Sequence, residues 1–355
     1  MPSYKEDFLS IIKLGIGHIA PSPIGENWPK LETLAASHGL SAILIDGVEK
    51  LPEGKRPPKE LLLQWIGETL QSYEYRFELY QRALAELAGW YNTRGYKMMV
   101  LKGYACALDW PKPEHRPCGD IDIWLFGKQK EADALIAKEK GIKVDSSHHH
   151  HTVFDWRCFT VENYFDFVNI FAHKSSAEIE KVFKELGKDD SNCVEIYGEK
   201  VYLPSPNLHA LFLIRHLASH FAAAEISLRQ LLDWAFFVDK HTKEINWEWL
   251  DYQLEKYHMR DFFNYINAIC VEDLGFSLTV FPTAQFLPRM KERVLEDILN
   301  PSYPTREING LFKRLIYKYH RWQGNAWKQK MCYGESRWSA FWSGMWAKIL
   351  KPASI

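Results

Sequence analysis

The sequence predicts an α+β fold, in which a small mixed β-sheet core is flanked by helices before and after it along the chain. Apolar residues recur at steps of three and four before residue 95 and again after residue 205, which is typical of amphipathic helices. Between these stretches the spacing changes to the alternation of short strands. These observations predict N-terminal helices over 1–95, an α/β core over 96–204 and a C-terminal helical region over 205–355.

Composition limits the class of protein. The chain has 355 residues, 46% of them apolar and 25% charged, with a formal net charge of −1. This apolar fraction excludes disorder for most of the chain. The balanced charge argues against a protein that binds nucleic acid over its whole surface. The sequence contains no apolar run of about 18 residues, so we expect no membrane-spanning helix. Without a secretory signal or a C-x-x-C pair, we expect reduced cysteines and a cytoplasmic location.

The elements follow one another in a clear order. The N-terminal region is predicted to hold short helices over 4–50 and one or two long amphipathic helices over 59–94. Pro206 at a first helical position begins the C-terminal helices. The core elements are predicted as strands over 97–102 and 121–126, a helix over 128–141, a hairpin of strands 152–159 and 164–172 around a turn at 160–163, a helix over 176–187, and a strand pair over 194–203.

Two acids on the second predicted strand carry the clearest chemical signal. Asp120 and Asp122 are two residues apart, so strand alternation places both carboxylates on one face, with Cα atoms roughly 6.5–7 Å apart. Such carboxylates repel each other unless a cation lies between them, and hard divalent ions such as Mg²⁺ or Mn²⁺ prefer oxygen ligands. A third carboxylate from a neighbouring strand would complete a two-metal site.

Asp166 is the first candidate for this third metal ligand. It lies between large apolar residues in a predicted strand, where a carboxylate is costly to bury unless a cation meets it. Glu162 and Asp155 are the alternatives, although both could simply be solvated, Glu162 in the predicted turn and Asp155 on the partner strand.

The spacing of these residues resembles a known superfamily. Val100-Leu101-Lys102-Gly103 ends a predicted strand, and Arg116-Pro117-Cys118-Gly119-Asp120-Ile121-Asp122 follows after a variable loop. This pattern resembles the polymerase-β nucleotidyltransferase superfamily. Within it, the pattern is most similar to bacterial nucleotidyltransferases with an LKG strand and a GDxD motif, which are related to abortive-infection toxin nucleotidyltransferases. Many superfamily members have Gly-Ser where this chain has Lys102-Gly103.

The resemblance implies transfer of a nucleoside monophosphate from an NTP, with ATP as the expected donor, to an acceptor hydroxyl with release of pyrophosphate. Asp120, Asp122 and Asp166 would hold the metal ions. The residues expected to bind the nucleotide are Lys102, Gly103, Arg116, Gly119, His151, Arg229 and Asp233.

Purely structural roles stay open for several of these residues. Arg116 could pair with Asp120, and Arg229 could form an ion pair with Asp233 one helical turn away. The His148–His151 run could be a solvated polar loop.

A second class of function is a non-catalytic nucleotide-binding or toxin/antitoxin-type interaction protein. The acceptor is open between a protein, a tRNA and a small molecule. Residues 311–351 carry nine Lys or Arg, one acid and five tryptophans. This basic tail is compatible with a packed helical pair, with an acidic partner or RNA, or with an anionic membrane surface.

Overall fold

The helices and strands confirm the α+β class. The computed structural model describes residues 4–21, 27–282, 287–305 and 307–336. The helices are α1 (Tyr4–Gly15), α2 (Trp28–Ser37), α3 (Ser41–Glu49), α4 (Lys59–Thr69), α5 (Tyr75–Asn92), α6 (Tyr104–Ala107), α7 (Gln129–Lys140), α8 (Ser176–Leu186), α9 (Pro206–Ala223), α10 (Leu228–His241), α11 (Trp247–Lys256), α12 (Arg260–Ala268), α13 (Pro288–Leu299), α14 (Leu311–Gly324) and α15 (Ala326–Tyr333). The strands are β1 (Met99–Val100), β2 (Ile121–Trp124), β3 (His151–Trp156), β4 (Phe159–Tyr164), β5 (Cys193–Ile196) and β6 (Glu199–Tyr202).

The six strands form one mixed sheet in the order β3-β4-β2-β1-β6-β5. β2 runs parallel to β4, and β1 runs parallel to β6, whereas the other neighbouring pairs are antiparallel. β2 and β4 pair so that Asp122 lies directly beside Glu162. Because neighbouring residues in register share one face of a sheet, these two carboxylates face the same side.

The predicted hairpin is shifted along the chain. Its strands are β3 and β4, and the turn is the two-residue step between Trp156 and Phe159 rather than residues 160–163. Arg157 adopts φ 58° in this turn. The polar residues that favour a turn in the sequence therefore lie inside β4, and Asp166 follows the end of that strand instead of lying within it.

Alternation along the strands separates two cores. Ile121, Ile123 and Val161 point to one face, where they pack with α5 and α7. Trp124 and Tyr164 point to the other face, where they join a core formed with the N-terminal and C-terminal helices. Asp122 and Glu162 belong to this second face by the same alternation. The helices α9 and α10 thus cover the face of the sheet that carries the acids.

Several helix boundaries follow their local signals. The predicted long helix is α4 and α5, joined by a π-helical turn at Leu70–Glu74. Gly141 ends α7 in the left-handed conformation, as its place after a helical pattern predicts. Ser227 and Gln230 form a reciprocal capping box at the start of α10. This cap fixes where α10 begins, and with it the positions of Arg229 and Asp233.

The described part of the basic tail forms two helices, of which α15 packs against the rest of the protein and α14 is largely exposed. Trp327 in α15 lies edge-on to Phe221, and the buried Lys328 pairs with Asp297 at 2.5 Å. The tryptophans at positions 338, 342 and 346 lie outside the described residues. Within the described ranges, no helix combines the length and the apolar character needed to cross a bilayer.

Candidate active site

A cavity of about 640 Å³ opens between the sheet and helices α9 and α10. Its lining includes nine of the ten residues that the sequence assigns to the site, and Asp166 is the exception. β1 and β2 bring Lys102 and the first two acids to this cavity, β4 brings Glu162, and α10 brings Arg229 and Asp233.

Three carboxylates converge on the cavity. Asp122 is buried within β2, Asp120 immediately precedes that strand and is exposed, and Glu162 lies beside Asp122 on β4. The polar stretch that contains Glu162 is a strand facing the cavity, so the residue occupies the place predicted for a third acid across the sheet. The geometry favours Glu162, the alternative candidate, over Asp166.

Lys102 and Tyr164 connect these acids. The Lys102 ammonium lies 2.7 Å from an Asp122 oxygen and donates to the Tyr164 hydroxyl at 2.9 Å. The Tyr164 hydroxyl lies 3.2 Å from Asp122 and 3.0 Å from Glu162. Burial alone would lower the pKa of Lys102, but the charges of Asp122 and Glu162 raise it above its ordinary value. Lys102 is therefore the cation that compensates this acidic site.

One ammonium does not fully compensate three acids. Burial and the neighbouring Asp122 charge raise the pKa of Glu162 to about 7. Asp120 is exposed as a residue, but partial desolvation of its carboxyl and the same neighbour also raise its pKa. Both shifts have the sign expected when carboxylates are crowded without enough positive charge. The site therefore favours additional cationic charge, or a proton on Glu162.

The donor set fits hard divalent cations by its chemistry. Asp120, Asp122 and Glu162 supply carboxylate oxygens only, which Mg²⁺ and Mn²⁺ prefer. In their present positions, no three His, Cys, Asp or Glu side chains of the described residues form a set that could ligate one ion. Since the Lys102 ammonium contacts Asp122, binding of an ion by that carboxylate would require Lys102 to move or to share it.

Gly103 lies where the backbone turns from β1 into α6. Its φ is +51°, in the region that favours glycine, and a Cβ here would lie 2.9 Å from the Tyr80 hydroxyl oxygen. Tyr80 in turn donates to the Asp120 carbonyl at 3.1 Å. Gly119 also lines the cavity, but a Cβ there would meet no atom within 4 Å. Of these two glycines, only Gly103 is thus required by close contact.

Arg116 and Asp233 form a buried bidentate pair. The Arg116 Nε and Nη2 atoms lie 2.7 and 2.9 Å from the two Asp233 oxygens, and Trp110 Nε1 donates to the same carboxylate at 2.9 Å. The alternative pairings predicted for these residues, Arg116 with Asp120 and Arg229 with Asp233, are therefore wrong. Arg116 lies in the loop that precedes β2, and Asp233 lies in α10. The pair therefore connects two elements that are far apart in sequence.

Arg229 is left without such a partner. The aliphatic part of the Arg229 side chain packs near Gly39, and Arg229 lines the cavity. Among the described residues, it makes no hydrogen bond or ion pair, and burial beside Arg116 lowers the pKa of its guanidinium. Arg229 is consequently a cation available to an anionic ligand.

Imidazoles surround the acids. His150 immediately precedes β3 and His151 begins it, and both line the cavity. His216 and His220 of α9 line it as well, with their ring centroids 4.4 Å apart. His151 Nε2 lies 3.8 Å from a Glu162 oxygen. Burial lowers the pKa of His150 to about 3 and of His151 to about 4, so both rings are neutral at pH 7. His149 instead packs near Phe171.

The remaining acid candidates lie outside the cavity lining. Asp166 pairs with Lys184 at 3.0 Å, and its N–H donates to the His150 carbonyl. Asp155 is exposed on the edge strand β3 and accepts a long hydrogen bond of 3.4 Å from Thr160. The predicted hairpin places Asp166 in a strand and Glu162 in a turn, and for this reason the sequence favours Asp166. In the structure, Glu162 lies within β4 and Asp166 follows the end of that strand.

Sequence reasoning missed Tyr164 and Arg215, which both line the cavity. Tyr164 could have been found from strand alternation, since it is two residues after Glu162. No local signal singles out Arg215, which lies among apolar residues in the middle of α9.

Comparison with known proteins gives the family of the chain. A family model described as "Uncharacterised nucleotidyltransferase" matches residues 25–275. Among solved structures, the chain is similar to an antigenic nucleotidyltransferase-like protein from Paracoccidioides brasiliensis. The two sequences are 14% identical, and the match covers 44% of this chain and 74% of that chain. Because the TM-score is 0.32, no conclusion about this chain is drawn from the match. No curated protein matches the chain. Because the model match spans more than half of its residues, the chain belongs to this nucleotidyltransferase family.

Proposed function

We propose that the protein transfers a nucleoside monophosphate from an NTP to an acceptor hydroxyl and releases pyrophosphate. The observation that carries this proposal is the convergence of Asp120, Asp122 and Glu162 on one cavity beside Lys102. The raised pKa of Glu162 supports it, since the carboxylates lack sufficient positive charge in their present state.

Asp120, Asp122 and Glu162 would hold Mg²⁺ or Mn²⁺. When bound, such ions neutralise the triphosphate and polarise the acceptor hydroxyl. Lys102 and Arg229 are the protein cations suited to phosphate oxygens, because Arg116 is committed to Asp233. Gly103 leaves the backbone accessible at the start of α6.

The reaction needs a place for one proton. The acceptor oxygen forms a bond to the α-phosphorus, and the bond from that phosphorus to the bridging oxygen breaks, which releases pyrophosphate. The acceptor proton is released to the water of the cavity, because a metal ion held by Glu162 would lower the pKa of that carboxylate and leave it a poor proton acceptor. Tyr164 orients this carboxylate through its hydroxyl contact at 3.0 Å.

The experiment uses ATP labelled at the α-phosphate, Mg²⁺ and a nucleotide-depleted cell extract as the source of acceptor. Wild type is expected to transfer label and to release pyrophosphate. Asp120→Asn and Asp122→Asn are expected to reduce both by about 100-fold or more, because each removes a metal ligand. Asp155→Asn is the matched control, since this exposed acid lies outside the cavity lining. Equal labelling in all four proteins would contradict the proposal.

One observation favours a second candidate, metal-independent nucleotide binding without transfer. Lys102 contacts Asp122 where a metal ion would compete for the same carboxylate. This candidate predicts that NTP binding by wild type persists in excess EDTA and that no pyrophosphate is released. Loss of NTP binding on metal removal would exclude it.

A further inference from the structure

A second group of polar residues lines the cavity on other elements. Ser176 begins α8, Arg215 lies in α9, and Tyr333 ends α15. None of the three is hydrogen-bonded or ion-paired to Asp120, Asp122 or Glu162. These three residues, which we call the Arg215 subsite, are not used by the proposed transfer chemistry.

Among the described residues, Arg215 is a buried cation without a carboxylate partner. Its side chain is 2% exposed, and its guanidinium donates to the Ser176 hydroxyl at 2.9 Å and to the Ser175 hydroxyl at 3.4 Å. The part of the chain that the structure describes provides no ion pair for it. Residues 337–355 contain no Asp or Glu. Burial of a guanidinium without an anion is costly, so a ligand that supplies the anion would stabilise it.

Glu335 does not fill this role. Although it follows Tyr333 closely in sequence, its carboxylate accepts from the Lys174 N–H at 3.0 Å and lies 3.4 Å from His173 Nδ1. Neutral groups surround the guanidinium instead: two serine hydroxyls, and the Tyr333 ring at 4.5 Å from its central carbon.

Tyr333 provides a second, independent observation. The residue is 3% exposed, and its hydroxyl has no hydrogen-bond partner among the residues that the structure describes. An unsatisfied donor in the interior is unfavourable. The described residues hold other buried hydroxyls of this kind, those of Thr69, Tyr91 and Tyr257, but only Tyr333 among these four lines the cavity. A purely structural Arg215, tying α8 to α9 and α15, would not explain it. A buried guanidinium, hydroxyl donors and the N-terminus of α8 together match the donors that bind oxyanions.

Arg215 and Arg229 line the cavity from different helices. Arg215 lies in the middle of α9, where its guanidinium contacts the Ser175 and Ser176 hydroxyls. Arg229 lies in the first turn of α10, where its side chain packs near Gly39. The cavity is thus lined by two arginines that make different contacts.

We propose that Ser176, Arg215 and Tyr333 bind a carboxylate or phosphate group of the acceptor. The proposal rests on the proposed function and deepens it, since it assigns the acceptor to the class of hydroxyl compounds that carry an anionic group. The NTP then uses Lys102, Gly103 and Arg229, and the acceptor is anchored at the Arg215 subsite.

The test titrates inorganic phosphate and, separately, acetate into the full chain by calorimetry at constant ionic strength. Each titration is made with and without a non-hydrolysable NTP and Mg²⁺. At least one of the two anions is expected to bind with 1:1 stoichiometry, and the anion that does so identifies the acceptor group. This binding should persist when the NTP analogue is bound. Arg215→Met is expected to weaken it at least tenfold, whereas Arg82→Met, at an exposed arginine outside the cavity lining, should change it less than twofold.

Tyr333→Phe keeps the test independent of any folding defect in Arg215→Met. It removes only a hydroxyl without a partner, so thermal stability should be unchanged while anion affinity falls severalfold. Displacement of the anion by the NTP analogue would assign the subsite to the nucleotide and overturn the proposal. Absence of binding by both anions, or unchanged binding in Arg215→Met and Tyr333→Phe, would overturn it too. If no NTP binds, the proposed function fails, and the titrations without NTP still report on the subsite.

Discussion

Glu162 and Asp166 illustrate how the chemistry of this protein depends on single positions. Both are acids near the end of the same hairpin, yet only Glu162 faces Asp122 across two parallel strands. Asp166 is neutralised by Lys184 at 3.0 Å, outside the cavity lining. Position relative to the strand end, rather than the type of side chain, separates the two roles.

Exchange of each acid for its amide tests this separation. Glu162→Gln is expected to reduce Mg²⁺-dependent transfer by about 100-fold or more, because it removes a metal ligand. Asp166→Asn should leave transfer within about threefold, since it loses only a partly exposed ion pair. Initial rates of label transfer measure both variants. Comparable losses in both variants would contradict the assignment of Glu162.

The two glycines of the site offer a matched pair. Gly103→Ala is expected to destabilise the protein by about 1–3 kcal/mol, because the new Cβ would combine a positive φ with a contact of 2.9 Å to Tyr80. Gly119→Ala should stay within about 0.5 kcal/mol, as a Cβ there meets nothing. Urea unfolding measures both free energies. An equal effect at the two positions would show that the close approach at Gly103 is not required.

At the scale of elements, the hairpin shows why local patterns misplaced the third acid. Residues 160–163 read Thr-Val-Glu-Asn, a polar stretch that resembles a turn. In the structure, Asn163 donates to the buried Asp133 at 2.8 Å and Glu162 faces the cavity. Asn163 and Glu162 are polar because they face groups that are distant in sequence, and a local sequence pattern does not reveal such contacts. The turn itself uses Arg157 in a left-handed conformation that favours glycine, so it lacked a signal.

The Arg116–Asp233 pair connects two elements that the sequence places far apart, so its partners could not be predicted from helical spacing. Asp233→Asn is expected to destabilise the protein by about 3 kcal/mol, because it leaves the buried Arg116 with an uncompensated charge. Asp251→Asn is the control, since Asp251 is 54% exposed in its pair with Arg260 and should cost less than about 1 kcal/mol. Urea unfolding distinguishes them, and equal losses would argue against a buried structural pair.

At the scale of the whole molecule, the order of helices, sheet and helices was predictable because apolar periodicity is a local property. Pro206 and Gly141 mark helix boundaries that the structure confirms. The enclosure of the site was not predictable, since α9 and α10 meet the sheet through contacts across long sequence separations. Arg215 shows this limit, because only the packed molecule reveals that it is buried without an anion.

Buried histidines determine the expected pH dependence of stability. Burial lowers the pKa of His38 and His209 to about 4 and of His150 to about 3. The unfolded chain therefore takes up these protons first, and stability present above about pH 6.5 is lost as the pH falls toward 4. Glu162 and Glu180, with pKa values raised to about 7, act in the opposite direction between about pH 4.5 and 7.

His115 and His241, whose pKa values are raised by acidic partners, act in the same direction as the two acids. Burial lowers the pKa of seven described histidines, which outnumber these four groups, so the free energy of unfolding is expected to be smaller at pH 5.5 than at pH 7.5. Urea unfolding at the two pH values, with metal ions chelated, measures the difference. Equal or greater stability at pH 5.5 would show that the imidazoles are not held neutral by burial.

The most direct measurement for the central claim is a crystal structure of the protein with a non-hydrolysable NTP and Mn²⁺, with the ions located by their anomalous signal. We predict Mn²⁺ bound to Asp120, Asp122 and Glu162, the triphosphate beside Gly103, and the Lys102 ammonium displaced from Asp122 toward phosphate. An NTP bound elsewhere, or a complex without Mn²⁺ in which Lys102 still contacts Asp122, would contradict this claim.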